Sequence, residues 1–394
     1  MTPMTPVTVA AGACGALAVV TAIAARPGGW LDRRASRPAV ASFEARFHHP
    51  RRALPNVLAI AYTLASYPTG FALLLGPPGW RWIAGVALLG HAMVAALYLE
   101  HECVHTLIAR SRRGNAALGA VLGWINARIY IGFGDIAHMH LQHHHKLCDF
   151  EGFAVAELVA RSRHRLAGRL VLGLEAIHVP ILHFVIRAHG LRAALRRGGA
   201  ARLRALAILA IRGAAFAALA ALAPQAALGY LVAYVLYIQV ARFVDAFQHA
   251  YPEVRALPAA AGRRDRYLEQ AQTFSLPLAH RFRSLNLLIL NFGYHSAHHA
   301  FMRCPWYDLP AVHDALVADP ALRGRPLGAS QRAAFSQLLR FYHRHRLARL
   351  AHGQGTAWGE GGALSFDRFY GAFTDKLGFL DPTLGPTLDP TLDP

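Results

Sequence analysis

Four stretches of this chain are apolar over roughly the thickness of a bilayer, and they occur as two tightly joined pairs. They cover 56–76, 82–99, 205–223 and 226–247. A helix rises ~1.5 Å per residue and the hydrocarbon core is ~30 Å thick, so about 20 mainly apolar residues span it. The first pair is separated by PPGWR (77–81) and the second by little more than Pro224 and Gln225. Such short joints force each pair into an antiparallel hairpin. Only 16% of the 394 residues are charged and 54% are hydrophobic, against about 25% charged in an ordinary soluble domain. The expected fold is an all-α integral membrane protein. It is a four-helix transmembrane bundle of two helical hairpins, with an additional N-terminal anchor helix over 7–25 and a cytoplasmic helical cap. The opening MTPMTP carries no basic residue, unlike a cleaved secretory signal.

Charge orients the hairpins. The formal net charge is +19, with seven arginines in 26–52 and ten in 161–204, while the two joints hold almost none. Under the positive-inside rule this places 26–52, 100–204 and 248–394 in the cytoplasm and both hairpin tips outside. With no zinc-finger or other nucleic-acid motif, the basic balance reads as attachment to membrane lipids and not to nucleic acid. Arg242, near the end of its span, is expected to snorkel. Arg212, nearer the middle, needs a partner or a tilt. Two further apolar stretches, 115–134 and 170–188, are interrupted by Asn126, Arg128, Glu175, His178, Pro180 and His183, and read as interfacial or partly inserted helices.

The chain divides into an N-terminal anchor and basic linker (1–54), a membrane catalytic domain (55–315), a basic helical region (316–381) and a low-complexity Pro-rich tail (382–394). Within the third, 330–350 reads as a basic amphipathic helix on anionic lipid. The cysteines Cys14, Cys103, Cys148 and Cys304 form no C-x-x-C pair, so neither a disulfide framework nor a thiolate metal site is indicated.

Three histidine clusters carry the chemistry: His101-Glu-Cys-Val-His105, His140-Leu-Gln-His143-His144 and His295-Ser-Ala-His298-His299. On a helix, residues i and i+4 share a face. H-x-x-x-H therefore presents two imidazoles side by side. H-x-x-H-H adds a third turned ~100° away, given 3.6 residues per turn, so one such trio can reach two metals. The topology puts all three clusters on one side of the membrane. A fourth element, Asp245-Ala-Phe-Gln-His249, ends the last span on that side. Nine imidazoles (His101, His105, His140, His143, His144, His249, His295, His298 and His299) exceed the four ligands of a closed zinc site. They indicate two metals with open positions. Imidazole suits zinc, copper, iron and nickel. Glu102, Asp149 and Asp245 are placed to orient imidazole N–H groups. The remaining histidines lack this grouping. His91 reads as a packed or hydrogen-bonded residue within its span, and His138 and His145 as flanking residues. His178, His183, His189, His280, His313, His343 and His345 read as surface or interface residues.

The order HECVH, HLQHH, HSAHH resembles the membrane fatty acid desaturase superfamily, as do the context LNLLILNFGYHSAHHAFMRCPWYDLPAVH and the D-x-x-x-H at Asp245 and His249. The resemblance covers about 55–315. It implies a non-haem di-iron centre of two Fe ions at the cytoplasmic mouth of the bundle, O2 as co-substrate, and an acyl chain running into a buried apolar tunnel. The nine histidines would then be catalytic metal ligands. The acyl chain would be carried on a lipid, an acyl carrier protein or coenzyme A. No HPGG-type cytochrome b5 domain is present, so electrons are expected from a separate ferredoxin-like or similar donor, whose acidic surface would suit the basic cytoplasmic face. The multi-pass location implied is a bacterial inner membrane. The implied activity is O2-dependent desaturation of an acyl chain. The alternatives are a hydroxylase or ketolase of the same superfamily acting on fatty acyl, carotenoid or hydrocarbon substrate, and, more distantly, a non-catalytic bis-histidine metal or haem carrier.

Overall fold

The computed structural model describes residues 52–145, 150–151, 159, 161–245, 248–249, 255–256, 273, 275–318 and 347. The expected anchor at 7–25, the amphipathic helix at 330–350 except for Leu347, and the tail lie outside the described residues. Asp149 does too.

The described chain is almost wholly helical. Its helices are α1 (Ala53–Leu74), α2 (Trp80–Val104), α3 (Arg112–Ile125), α4 (Phe133–His145), α5 (Leu166–Ala176), α6 (Ile181–Arg197), α7 (Gly199–Leu222), α8 (Pro224–Asp245), α9 (His295–Ala300) and α10 (Leu309–Ala318). A 3-10 segment, Arg283–Ile289, precedes α9. Two short strands, β1 (Phe150–Glu151) and β2 (Arg255–Ala256), pair in parallel. Four described helices are long and apolar enough to cross a membrane: α1, α2, α7 and α8. They match the four apolar stretches and form an all-α membrane bundle.

The hairpin α1–α2 packs closely because small residues face the partner helix. A Cβ on Gly70 would come within 2.9 Å of Leu89 Cβ, and one on Gly85 within 2.9 Å of Leu73 Cβ. Without a hydrophobic drive between helices in lipid, such close approach and its dispersion energy hold the pair. The two hairpin tips are tied at one end of the bundle. Trp82 Nε1 donates to Gln225 O at 3.0 Å, and Gln225 Nε2 to Leu75 O at 3.3 Å. Helix α2 is the central element, buried continuously from Ala92 to Val104.

The stretch 115–134 breaks into α3 and α4. Its break is polar: Asn126 Nδ2 donates to Glu100 Oε2 at 2.8 Å, and Ala127 adopts a left-handed φ of 60°. Carbonyls freed at this turn must find donors away from water, and arginines from the following helices supply them. Arg204 reaches Ile129 O at 2.6 Å and Tyr130 O at 2.9 Å, Arg212 reaches Trp124 O at 2.7 Å, and Arg187 reaches Ala127 O. Arg212 also bonds Tyr230 Oη at 2.8 Å, so the mid-span arginine is partnered as expected. The stretch 170–188 likewise breaks, at His178 (φ 61°) and Pro180, into α5 and α6.

Arg242 does not snorkel to water. It is buried and pairs with Glu175 Oε2 at 3.1 Å. Glu175 Oε1 also accepts from Leu182 N at 2.9 Å. Because α5 and α6 fold back over this end of α8, the guanidinium meets a carboxylate there instead of solvent. His183 and His313 are also buried, not surface residues.

Candidate metal centre

Each histidine motif is delivered by a helix end. His101 lies in the last turn of α2 and His105 is its C-cap, with Thr106 turning the chain at φ 57°. The loop that follows is fixed by Asn115, whose Oδ1 accepts from Ala109 N at 3.0 Å and whose Nδ2 donates to Ala109 O at 2.7 Å. His140, His143 and His144 occupy the last two turns of α4. His295, His298 and His299 are carried by the six-residue α9, which is buried from His295 to His299. It is held by Ser296, whose backbone N–H donates to Ser275 Oγ (3.1 Å) and whose hydroxyl donates to Thr273 O (3.0 Å). His249 is bridged to Thr273 in an isolated antiparallel ladder step, with Thr273 Oγ1 3.3 Å from His249 Nδ1.

The nine histidines converge as two groups. In one, ring nitrogens of His101, His105, His140, His144 and His298 all lie within 4.8 Å of one another. In the other, those of His143, His249, His295 and His299 do so. The helical spacing explains the division. In HLQHH the i and i+4 residues, His140 and His144, enter the five-membered group, and His143, turned ~100° away, enters the other. In HSAHH the pair His295 and His299 enters the four-membered group and His298 crosses to the first. The groups adjoin, with the His144 and His299 ring centroids 4.2 Å apart.

The donor geometry fits metal ions. His105 Nε2 lies 2.9 Å from His140 Nε2, His144 Nε2 lies 2.9 Å from His140 Nε2, and His298 Nε2 lies 3.1 Å from His144 Nε2. In the second group His295 Nε2 is 2.8 Å from His249 Nε2. Two ~2.1 Å metal–nitrogen bonds at right angles put their nitrogens ~3.0 Å apart. Hydrogen bonding cannot satisfy the whole run, because each Nε2 offers one proton or one lone pair. Neither ring nitrogen of His101 has a hydrogen-bond partner although both are buried. A buried polar group left this way costs stability unless a ligand completes it.

Electrostatics favour the metal-binding form. Burial, reinforced by neighbouring imidazoles, holds His140, His144, His298 and His299 well below the usual histidine range. They therefore stay neutral with their lone pairs available at neutral pH.

The surrounding residues divide as follows. Glu102 is buried, with Oε2 accepting from Trp306 N at 3.1 Å and Oε1 3.7 Å from His101 Nδ1. Asp245 is half-buried at the end of α8, four residues before His249. His138 is half-buried beside its cluster, and His91 is hydrogen-bonded within its span as expected, to Tyr62 Oη at 2.5 Å and Leu288 O at 3.0 Å. Sequence reasoning missed Phe292, whose ring stands edge-on to His101 at 4.6 Å and against Tyr98 at 4.6 Å, walling the first group on its membrane side. It also missed the tie from Trp306 Nε1 to Asn56 Oδ1 at 2.9 Å, which fastens the segment after α9 to α1. Neither residue repeats or pairs in sequence, so no periodic signal marked it.

Two adjoining sets of histidine nitrogens thus lie at one end of a four-helix membrane bundle, each able to hold a metal ion. A search of curated proteins returned no match. A family model described as "Fatty acid desaturase" matches residues 78–331, more than half of the chain and a range that contains all nine histidines. The chain therefore belongs to the fatty acid desaturase family, a superfamily of oxygen-dependent membrane oxidoreductases.

Proposed function

We propose that the protein is an acyl-chain desaturase in which two iron ions are held by these histidines. His101, His105, His140, His144 and His298 would hold one ion, and His143, His249, His295 and His299 the other. The observation that carries this reading is the pair of adjoining buried nitrogen groups, because hydrogen removal from an unactivated methylene lies beyond acid–base side chains. Bound iron supplies the oxygen-activating, one-electron chemistry that such a C–H bond requires. The overall balance is two hydrogens from adjacent carbons of the chain, plus two electrons and two protons from a donor, with O2 reduced to two waters.

The chain's own residues position and seal the site. Phe292 and Tyr98 present aromatic faces on the membrane side and exclude water there. Thr273 steadies the His249 ring through Nδ1. Glu102 and Asp245 stand near His101 and His249 as orienting carboxylates, a role assigned to Asp149 as well from sequence. The catalytic domain is 55–315. The arginine-rich segments put the site on the cytoplasmic face of a multi-pass membrane protein, of a bacterial inner membrane by the sequence reading. There a separate acidic, ferredoxin-like carrier would deliver electrons, with a lipid, acyl carrier protein or coenzyme A presenting the chain.

Total fatty acids of a host expressing the wild-type protein and the His299→Ala variant test the proposal by mass spectrometry. The expected result is a new species two mass units lighter that is absent from the variant. A species sixteen units heavier would replace desaturation by hydroxylation. An optical spectrum dominated by a Soret band would overturn the di-iron reading in favour of haem.

A further inference from the structure

The segment between the last span and α9 contains a feature that membrane-crossing helices do not explain. Residues 276–293 form a closed loop whose base is Leu276 N donating to Gly293 O at 2.6 Å. Only glycine fits at that base, since a Cβ on Gly293 would lie 2.5 Å from Leu276 O. The far end of the loop is the 3-10 segment Arg283–Ile289. There the carbonyl of Leu288 accepts from His91 Nε2 at 3.0 Å.

His91 fixes the depth of that contact. It lies near the midpoint of α2, ten residues before His101, which is ~15 Å of helix. Its other nitrogen meets Tyr62 Oη of α1 at 2.5 Å, so the contact lies on the spanning hairpin itself. Phe292, only four residues later, is back at the level of Tyr98 and His101. The chain thus descends along α2 to about mid-span, turns at Leu290 and Asn291 with left-handed φ values of 45° and 57°, and returns to the metal centre.

The surface of this loop matches that depth. Phe282, Leu285, Leu287 and Leu288 are 63%, 47%, 50% and 49% exposed. In water four such neighbours would be an uncovered apolar patch. Backbone at membrane depth must have its polar groups satisfied within the protein, and both ends of this turn are tied in that way. Asn286 donates to Ala279 O at 2.8 Å and Arg283 O at 3.1 Å. Asn291 N donates to Asn286 O at 2.8 Å, and Phe292 N to Ile289 O at 2.9 Å. The cation nearest the tip, Arg283, is turned away to Asp314 of α10, bonding it at 2.5 and 2.9 Å, as a snorkelling residue does.

We propose that residues 277–292 form a re-entrant wedge inserted into the cytoplasmic leaflet, with Phe282, Leu285, Leu287 and Leu288 packed against lipid acyl chains. The occupant of this surface is bilayer hydrocarbon, because Leu288 meets His91 beside Tyr62, and Tyr62 with Leu58 one turn away forms an exposed apolar stripe on the spanning helix α1. The wedge runs directly into His295 and so couples the position of α9 to the membrane.

Site-directed spin labelling tests the wedge in the full chain with Cys14→Ser and Cys148→Ser, reconstituted in nanodiscs of phosphatidylcholine and phosphatidylglycerol. Nitroxides are placed by Leu285→Cys, Leu287→Cys and Leu288→Cys, with Leu58→Cys on α1 as a lipid reference and Arg113→Cys as an aqueous one. The buried Cys103 and Cys304 serve as the unlabelled background. The expected result is a ratio of oxygen to water-soluble nickel-chelate accessibility at the three wedge positions that matches Leu58→Cys and exceeds Arg113→Cys. A ratio like that of Arg113→Cys would overturn the proposal. Low accessibility to both reagents at all three would also overturn it, in favour of protein, such as a second copy of this chain, covering the face.

Discussion

The buried pair of Arg242 and Glu175 gives the sharpest test of how the cap is held over the bundle. Arg242 is 3% and Glu175 0% exposed at the side chain, with the charges 3.1 Å apart. At an effective dielectric of about 20, two unit charges at that distance attract by about 5 kcal/mol. Much of this offsets their desolvation. Removing one partner therefore strands the other charge, at a cost of about 3–5 kcal/mol, whereas removing both charges is often nearly neutral. Arg242→Met should destabilise the protein by that amount. Arg242→Met combined with Glu175→Gln should recover most of it, because the glutamine oxygen can still accept from Leu182 N, which Glu175 does now at 2.9 Å. Thermal unfolding in detergent, followed by gel filtration, reads the difference. At about 2–4 °C per kcal/mol for a domain of this size, the single variant should melt on the order of 10 °C lower and the double variant should regain at least half. A double variant that melts as low as Arg242→Met, or lower, would refute the view that the stranded charge causes the loss.

Metal analysis should distinguish the two nitrogen groups. His298→Ala should lose one of two bound metal ions, His299→Ala the other, and the double variant both, with the protein still inserted; two ions retained in His298→Ala would remove that residue from the ligand set. The metal-free protein should lose stability on acidification. His140, His144, His298 and His299 are held neutral by burial, so their contribution is present above about pH 6.5, the unfolded histidine value. It is lost as pH falls below that, where the unfolded chain binds more protons. Melting temperatures from pH 8 to 5 that rise on acidification would contradict this. Gly70→Leu should separate α1 from α2, since even a Cβ there would sit 3.0 Å from Leu89 N; a loss of folded protein in gel filtration is expected, and an unchanged elution profile would show that the hairpin tolerates the spacing.

The sequence by itself determined the spanning helices and the grouping of the histidine donors. Apolar length is a local property, so 56–76, 82–99, 205–223 and 226–247 could be read as overlapping most of α1, α2, α7 and α8. Helical spacing is local as well, which is why H-x-x-H-H already implied one histidine turned away from its fellows. Which nitrogen group that odd residue joins was decided only by tertiary structure. His298 meets His144, 154 positions away, because α9 packs against α4 across the end of the bundle. The fate of Arg242 was non-local for the same reason. Snorkelling is the outcome when a helix end faces water, and nothing near Arg242 in sequence states that α5 will bring Glu175 over it. The descent of 277–292 along α2 is likewise invisible in a segment too short to span and broken by Arg281, Arg283 and Asn286. Only the contact between Leu288 and His91 gives its depth, since depth in a bilayer is measured against a neighbouring helix and not along the chain.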